Sequence, residues 1–388
     1  MLLALAAWAA PLWAQDSHVM RSGNGWVEVI SGSLPSLHNL KVGTEFGAVT
    51  VHGGSPQGIT YTVRKRLNSG SESYARRQFE LFSVRGSQKG DFALLEGECS
   101  GSERLSVDIT VNVPRDLAFA RIDTHGGSVD VANIAGRVEA ETAGGSIRIN
   151  DIGGSVRAQT SGGGIDVGNV AGDLKLETAG GGITIRSAGG RVRAETAGGG
   201  IELGSATQSV YLATAGGSIQ VKKCDGELRA ATAGGSVDIG DVGGGAVLET
   251  SGGSIRVASA KGVVRATTSG GGIRLTGLAH GVTAKTAAGP IYAEFTAGKG
   301  SFSESSLETS VGDVIVYLPA DLPVTVRATI DAAMGHHMIS DFAEVKISPE
   351  GGEWGPREIY GQGAINGGGP VLKIRTSAGN VELRRGKK

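Results

Sequence analysis

Thr142-Ala143-Gly144-Gly145-Ser146-Ile147-Arg148-Ile149-Asn150-Asp151-Ile152-Gly153-Gly154-Ser155-Val156-Arg157-Ala158-Gln159 is the stretch on which the reading of this chain turns. It holds two short runs, Ser146 to Ile149 and Ser155 to Ala158, each apolar at every second position. That is the period of a half-buried strand. Gly144-Gly145 and Gly153-Gly154 separate the runs, and are expected to supply positive φ where the chain turns sharply. The unit is therefore two nine-residue halves, each a turn plus a strand.

Outward from this unit, Thr142 is one of ten threonines spaced by eighteen residues: Thr124, Thr142, Thr160, Thr178, Thr196, Thr214, Thr232, Thr250, Thr268 and Thr286. A fixed period of this kind marks a solenoid in which each repeat stacks on the last. The expected fold is all-β: a parallel β-helix with eighteen residues and two strands per turn, closed by irregular β caps. Ile147, Ile149, Ile152, Val156, Ala158 and Thr160 form the inward set. The threonines continue this inward alternation, so they read as a buried ladder bonding a neighbouring turn or their own Gly-Gly turn, and not as a display surface.

Both ends depart from the period. Residues 1–14 (MLLALAAWAAPLWA) read as a secretory signal peptide, although a basic leading region is missing. Residues 15–123 read as an N-terminal β region and cap, 124–292 as the regular repeat, and 293–388 as a C-terminal β region and cap. Fragments of the motif persist in the flanks at Thr44–Val49, Thr309–Val314 and Thr376–Val381. Irregular ends are expected because an open solenoid would present strand edges to other chains.

Composition narrows function further. Formal net charge is −1, so bulk attraction to nucleic acid or an anionic membrane is not expected. No segment after the leader approaches the roughly 20 apolar residues of a membrane helix. The 66 glycines lack the collagen period. Cys99 and Cys224 are expected to lie about 20 Å or more apart, beyond disulfide reach.

Several chemistries fail on spacing. Nine-residue halves resemble the calcium-binding β-roll, G-G-x-G-x-D-x-U-x. Here Ile147, Val156, Ile165 and Leu174 stand where Gly is needed, and Ile149, Ala158, Val167 and Leu176 where the Asp ligand is needed. The hexapeptide acyltransferase pattern fails because the aliphatic series from Ile147 runs to Gly153 and Gln159. No long insertion between Thr124 and Thr286 carries paired carboxylates. His336-His337 lacks spaced partners and reads as a pair of surface or turn residues. No cofactor, metal or catalytic residue is expected.

The outward column of the second strand reads Glu139, Arg157, Lys175, Arg193, Tyr211, Arg229, Val247, Arg265, Thr283. Two residues on runs Asp123, Glu141, Gln159, Glu177, Glu195, Ala213, Ala231, Glu249, Thr267, Lys285. Stacked like charges repel, and the acidic column relieves them. A candidate binding face for anionic glycan, lipopolysaccharide or an envelope protein comprises Arg157, Lys175, Arg193, Tyr211, Arg229, Arg256, Arg265 and Arg274, favoured where the acidic column thins.

The runs Val111-Asn112-Val113-Pro114-Arg115-Asp116-Leu117 and Ile122 to Val131, with Thr309–Pro319 and Thr376–Leu383, resemble a bacterial family of putative-adhesin β-strand-repeat domains of unknown function. That family is related to the head domain called GIN of proposed autotransporter adhesins. The likeness covers roughly residues 40–385 and implies an exported, right-handed β-solenoid without catalytic residues to transfer. The expected role is an exported, non-enzymatic binding or cell-envelope scaffold protein in the periplasm, outer envelope or medium. A polysaccharide-processing enzyme and a self-assembling filament are the alternatives.

Overall fold

The computed structural model describes residues 15–56, 58–101, 105–298, 300–352 and 355–386. The proposed signal peptide lies outside the described residues. The chain forms two compact units, residues 1–172 and 173–388. Both are built from two ladders of short parallel strands, and the β-solenoid architecture expected from the period is present in each.

In the first unit, one ladder contains Val129–Ile134, Ile147–Ile152 and Ile165–Val170. Each residue pairs in parallel with the one eighteen further on, as in Val129↔Ile147↔Ile165. The second ladder contains Phe119–Thr124, Arg137–Thr142 and Val156–Thr160, with Thr124↔Thr142↔Thr160 in register. Further out, the chain leaves sequence order. Asn39–Thr44 lies between Phe119–Thr124 and Phe92–Cys99. Ala48–Gly53 lies likewise between Val129–Ile134 and Ser106–Val113. Antiparallel strands then end both ladders: Ile59–Leu67, Gly25–Leu34 and Gln15–Ser22 on the first, Phe82–Lys89 on the second. Turning the chain back blunts the edge that a parallel stack leaves open.

A single helix among the described residues, Glu72–Phe79, belongs to this end. Ser71 caps it by accepting from the Tyr74 amide, and Ala75 and Phe79 face the core. Beside it, the buried Lys65 ammonium donates to the Phe79 carbonyl at 2.8 Å and pairs with Glu28 at 2.9 Å. These partners compensate a charge that would otherwise be costly to bury.

In the second unit, the first ladder runs from Ile183–Ala188 to Val314–Leu318, and the second from Leu174–Thr178 to Ser305–Val311. The last rung is again out of order. Val371–Ala378 sits between Ser305–Val311 and Val324–Ile330, and Val381–Arg385 between Val314–Leu318 and Met338–Ser340. Gly355–Ile365 and Lys346–Gly352 close the second ladder in antiparallel fashion.

The interior is thin and fully packed. Ile147, Ile149, Ile152, Val156, Ala158 and Thr160 are all buried. Alternation slips once per first-ladder strand in this rung, where Asn150 and Asp151 both stay outside and Asp151 takes φ 55°. That left-handed residue bends the strand so that Ile152 returns inward.

One expectation is corrected. Gly144, Gly145, Gly153 and Gly154 are not among the positive-φ residues. Gly145, Gly153 and Gly154 exclude a side chain for a different reason, which is rung-to-rung approach. A Cβ on Gly145 would stand 2.1 Å from the Gly127 carbonyl oxygen, and one on Gly154 2.5 Å from Gly136. Gly144, its neighbour, would leave 3.6 Å clear.

The threonine hydroxyls bond both ways. Thr142 Oγ1 donates to the Gly127 carbonyl at 2.7 Å and accepts from the Gly145 amide at 3.3 Å. Gly145 in turn receives the Thr160 hydroxyl on its carbonyl. The second unit repeats this relay, for example Thr196 to Gly181 and Gly199 to Thr196. Thr309 and Thr376 keep the donor half across the broken period, bonding Gly289 and Gly312. In the first unit Thr44 takes its register position opposite Thr124.

Candidate binding faces

In the second unit, Lys175, Arg193, Tyr211, Arg229 and Arg265 project from successive second-ladder strands and pair in register, with Val247 between the last two. The column changes character along its length. Lys175 pairs with Glu177 at 3.0 Å, and Arg193 pairs with Glu195 while its guanidinium lies 4.6 Å from the Tyr211 ring centroid. Beside Arg229 and Arg265 the adjoining positions are Ala231 and Thr267. Glu249 lies diagonal to both arginines, and among the described residues neither forms an ion pair with a carboxylate. Both side chains are exposed.

Farther along, the column is compensated again. Glu308 faces Lys285 across the ladder and meets both Lys285 and Lys373 at 3.2 Å. Partial burial pushes its carboxyl up, but hydrogen bonds from Ser306, Lys285 and Lys373 outweigh that and hold it at about 2.

Arg157 lies in the first unit, on the rung after Glu139. It lines a groove of about 300 Å³ with Arg121, Asp123 and Glu141. Arg256 and Arg274 occupy the first ladder of the second unit, in register with each other and on the opposite strand set from Arg265. They line a shallow groove of about 440 Å³ with Gln220, Lys222, Asp238 and Thr276, floored by Gly240 and Ala258. Arg256 donates to Asp238 at 3.0 Å. Arg274 stacks 4.1 Å from the Tyr292 centroid, and Tyr292 packs against Tyr317 at 5.4 Å. Within the second unit the proposed residues divide between the ladders, with Lys175, Arg193, Tyr211, Arg229 and Arg265 on the second and Arg256 and Arg274 on the first.

The sequence reading missed a groove of about 460 Å³ in the first unit. It opens because Gly43 stands between Glu96 and Asp123 in the outward column, and Gly97 occupies the register position of the threonines. Glu45, Glu98 and Glu141 join its lining. Arg121 ties Asp123 at 3.0 Å and approaches Glu141 at 4.0 Å, neutralising part of the cluster. The signal for it was legible as two glycines at positions where the repeat holds other residues.

Among the described residues, no group of three or more His, Cys, Asp or Glu has a geometry suited to a metal ion. No helix among the described residues is long and apolar enough to cross a membrane. Cys99 and Cys224 are both free thiols, and burial pushes the Cys224 thiol up, away from reactivity.

No protein-family model matches the chain, and no curated protein matches it. Solved structures to which the chain is similar include a putative cell adhesion protein from Clostridium sporogenes, at 9% identity and TM-score 0.21, covering 93% of this chain and 100% of that one. A putative adhesin from Bacteroides fragilis matches at 9% identity and TM-score 0.26, covering 92% and 96%. A third, from Parabacteroides distasonis, matches at 13% identity and TM-score 0.23, covering 76% and 98%.

Proposed function

We propose that the protein is an exported, non-enzymatic β-solenoid of the cell envelope that binds an acidic glycan in adhesin-like fashion. The supporting observation is the pair Arg229 and Arg265, exposed on one ladder and left without carboxylate partners where the adjoining column turns to Ala231 and Thr267. Arginine presents a planar donor fork matched to carboxylate, sulfate and phosphate. Arg193 and Tyr211 extend the same face with a stacked cation and ring. Export rests on the apolar leader read from the sequence.

A glycan array with the purified protein tests this reading, followed by hydrolysis and lyase assays on whatever binds. Binding to acidic glycans that weakens in Arg229→Gln/Arg265→Gln is the expected result. Retention of all binding in that variant contradicts it.

One observation favours a second reading, polysaccharide processing: the carboxylates of the first unit's groove. Release of product from a bound glycan, abolished by Glu96→Gln, is the outcome that selects it. Filament formation is opposed by the outermost strand Lys346–Gly352, which carries Lys346, Pro349 and Glu350 along its length.

A further inference from the structure

We propose that the groove around Arg274 is a second, separate subsite that takes the carboxylate of a uronate-bearing polysaccharide. It lies on the opposite ladder from Arg229 and Arg265, and shares with the reading above only the class of ligand.

The argument begins with how Arg274 is held. Its guanidinium carbon lies over the Tyr292 ring, 4.1 Å from the centroid, and Tyr292 is itself packed on Tyr317. The Tyr292 hydroxyl donates to Glu294 at 3.2 Å, which fixes the ring in its plane. Among the described residues Arg274 forms no ion pair, although it is exposed and its neighbour Arg256 is committed to Asp238. A stacked guanidinium gives up little further freedom on binding, and its N–H edge stays free for a bidentate anion. Stacking on the ring satisfies the face of the cation and leaves that donor fork unused.

The surroundings select the ligand. Lys222, Arg256 and Arg274 set three cations against the single carboxylate of Asp238. Gln220, on the first of these rungs, offers both a donor and an acceptor, as sugar hydroxyls require. The floor is Gly240 and Ala258, small residues that let a ring lie close to the sheet, while the apolar residues of the lining, Val221, Ile239 and Val257, are buried in the core and offer a lipid chain little surface. A volume of about 440 Å³ falls within the range of about 300–1,000 Å³ usual for small-ligand sites, and the groove is open rather than enclosed. Because Gln220, Asp238, Arg256 and Arg274 stand on successive rungs in one register, a chain running along the ladder would meet them in turn.

The test is calorimetric titration of the full chain with a galacturonate tetramer and with a neutral glucose tetramer of the same length. The proposal predicts two binding events per molecule for the acidic tetramer and at least about tenfold weaker binding of the neutral one. Arg274→Gln should remove one event, lowering affinity there by about tenfold or more, with the thermal midpoint unchanged. Tyr292→Ala should weaken the same event and Tyr292→Phe should not, which separates ring support from a role of the hydroxyl. Retention of both events in Arg274→Gln, with one lost in Arg229→Gln/Arg265→Gln, overturns this subsite and leaves the other face standing. The reverse pattern upholds this subsite and removes the other. Equal binding of both tetramers, or no binding, overturns the carboxylate assignment.

Discussion

In the second unit, compare the innermost and outermost columns of the same strands. Inside, Thr196, Thr214, Thr232, Thr250 and Thr268 repeat without change, each donating to a glycine carbonyl of the preceding rung. Outside, three residues earlier in the same strands, the chain reads Arg193, Tyr211, Arg229, Val247, Arg265. The inner position must fill one geometry, a hydroxyl that gives one hydrogen bond and takes another beside an unsubstituted glycine. The outer position has no such partner to satisfy. Structure is therefore carried by what repeats, and any selectivity by what does not.

The comparison also separates rungs that follow sequence order from those that do not. Ordered rungs each touch only their neighbours, so they should be interchangeable. Excising residues 215–232, one whole rung, should leave a cooperatively folded protein with the ladder closed up one step. Truncation after Gly369 should instead remove the strands Val371–Ala378 and Val381–Arg385 from between two others. Its expected cost is of the order of a domain's entire stability, roughly 5–15 kcal/mol. Chemical denaturation of both variants checks this, and similar losses in the two would erase the distinction.

A smaller effect sharpens the account of the glycines. Gly145→Ala should destabilise by about 3 kcal/mol, because its Cβ meets a backbone carbonyl that cannot move aside. Gly144→Ala should cost well under half of that. Equal costs at the two positions would restore the view that the pair is needed for turning.

The smallest effect concerns the compensated end of the outer column. Glu308 titrates at about 2 when folded, against an ordinary 4.5. A depressed folded pKa contributes stability above pH 4.5 that is lost as the pH falls towards 2. Glu308→Gln should therefore be less stable than the parent at neutral pH and converge with it near pH 2, as followed by acid denaturation.

How far this was legible in the sequence varies by residue. The phase of the threonines against Val156 and Ala158 placed their hydroxyls inside, because a two-residue period leaves only two choices. Thr44, Thr309 and Thr376 showed as motif fragments, but their order in the ladder did not, since identical motifs carry no instruction about which neighbour to join. The glycine requirement was legible and its cause was not. Positive φ and close backbone approach both ask for an absent Cβ, and only the folded backbone's geometry separates them. Arg256 and Arg265 lie half a repeat apart, so their placement on opposite ladders follows from the nine-residue halves once these are applied to the surface as well as the core. The helix Glu72–Phe79 is too short for a periodic signal, although Ser71, Glu72 and the pair Ala75 and Phe79 mark its start and inner face.

The most direct test lies within one strand, Leu228–Thr232, whose burial alternates from end to end. Thr232→Val and Arg229→Gln should be measured side by side for unfolding free energy and for affinity to an acidic glycan. Thr232→Val strands the Gly217 carbonyl and the Gly235 amide, and should lose about 2 kcal/mol of stability with affinity unchanged. Arg229→Gln should lower affinity with stability unchanged. If Thr232→Val proves neutral in stability, or Arg229→Gln destabilises the fold without touching affinity, the division between a structural interior and a binding exterior is wrong.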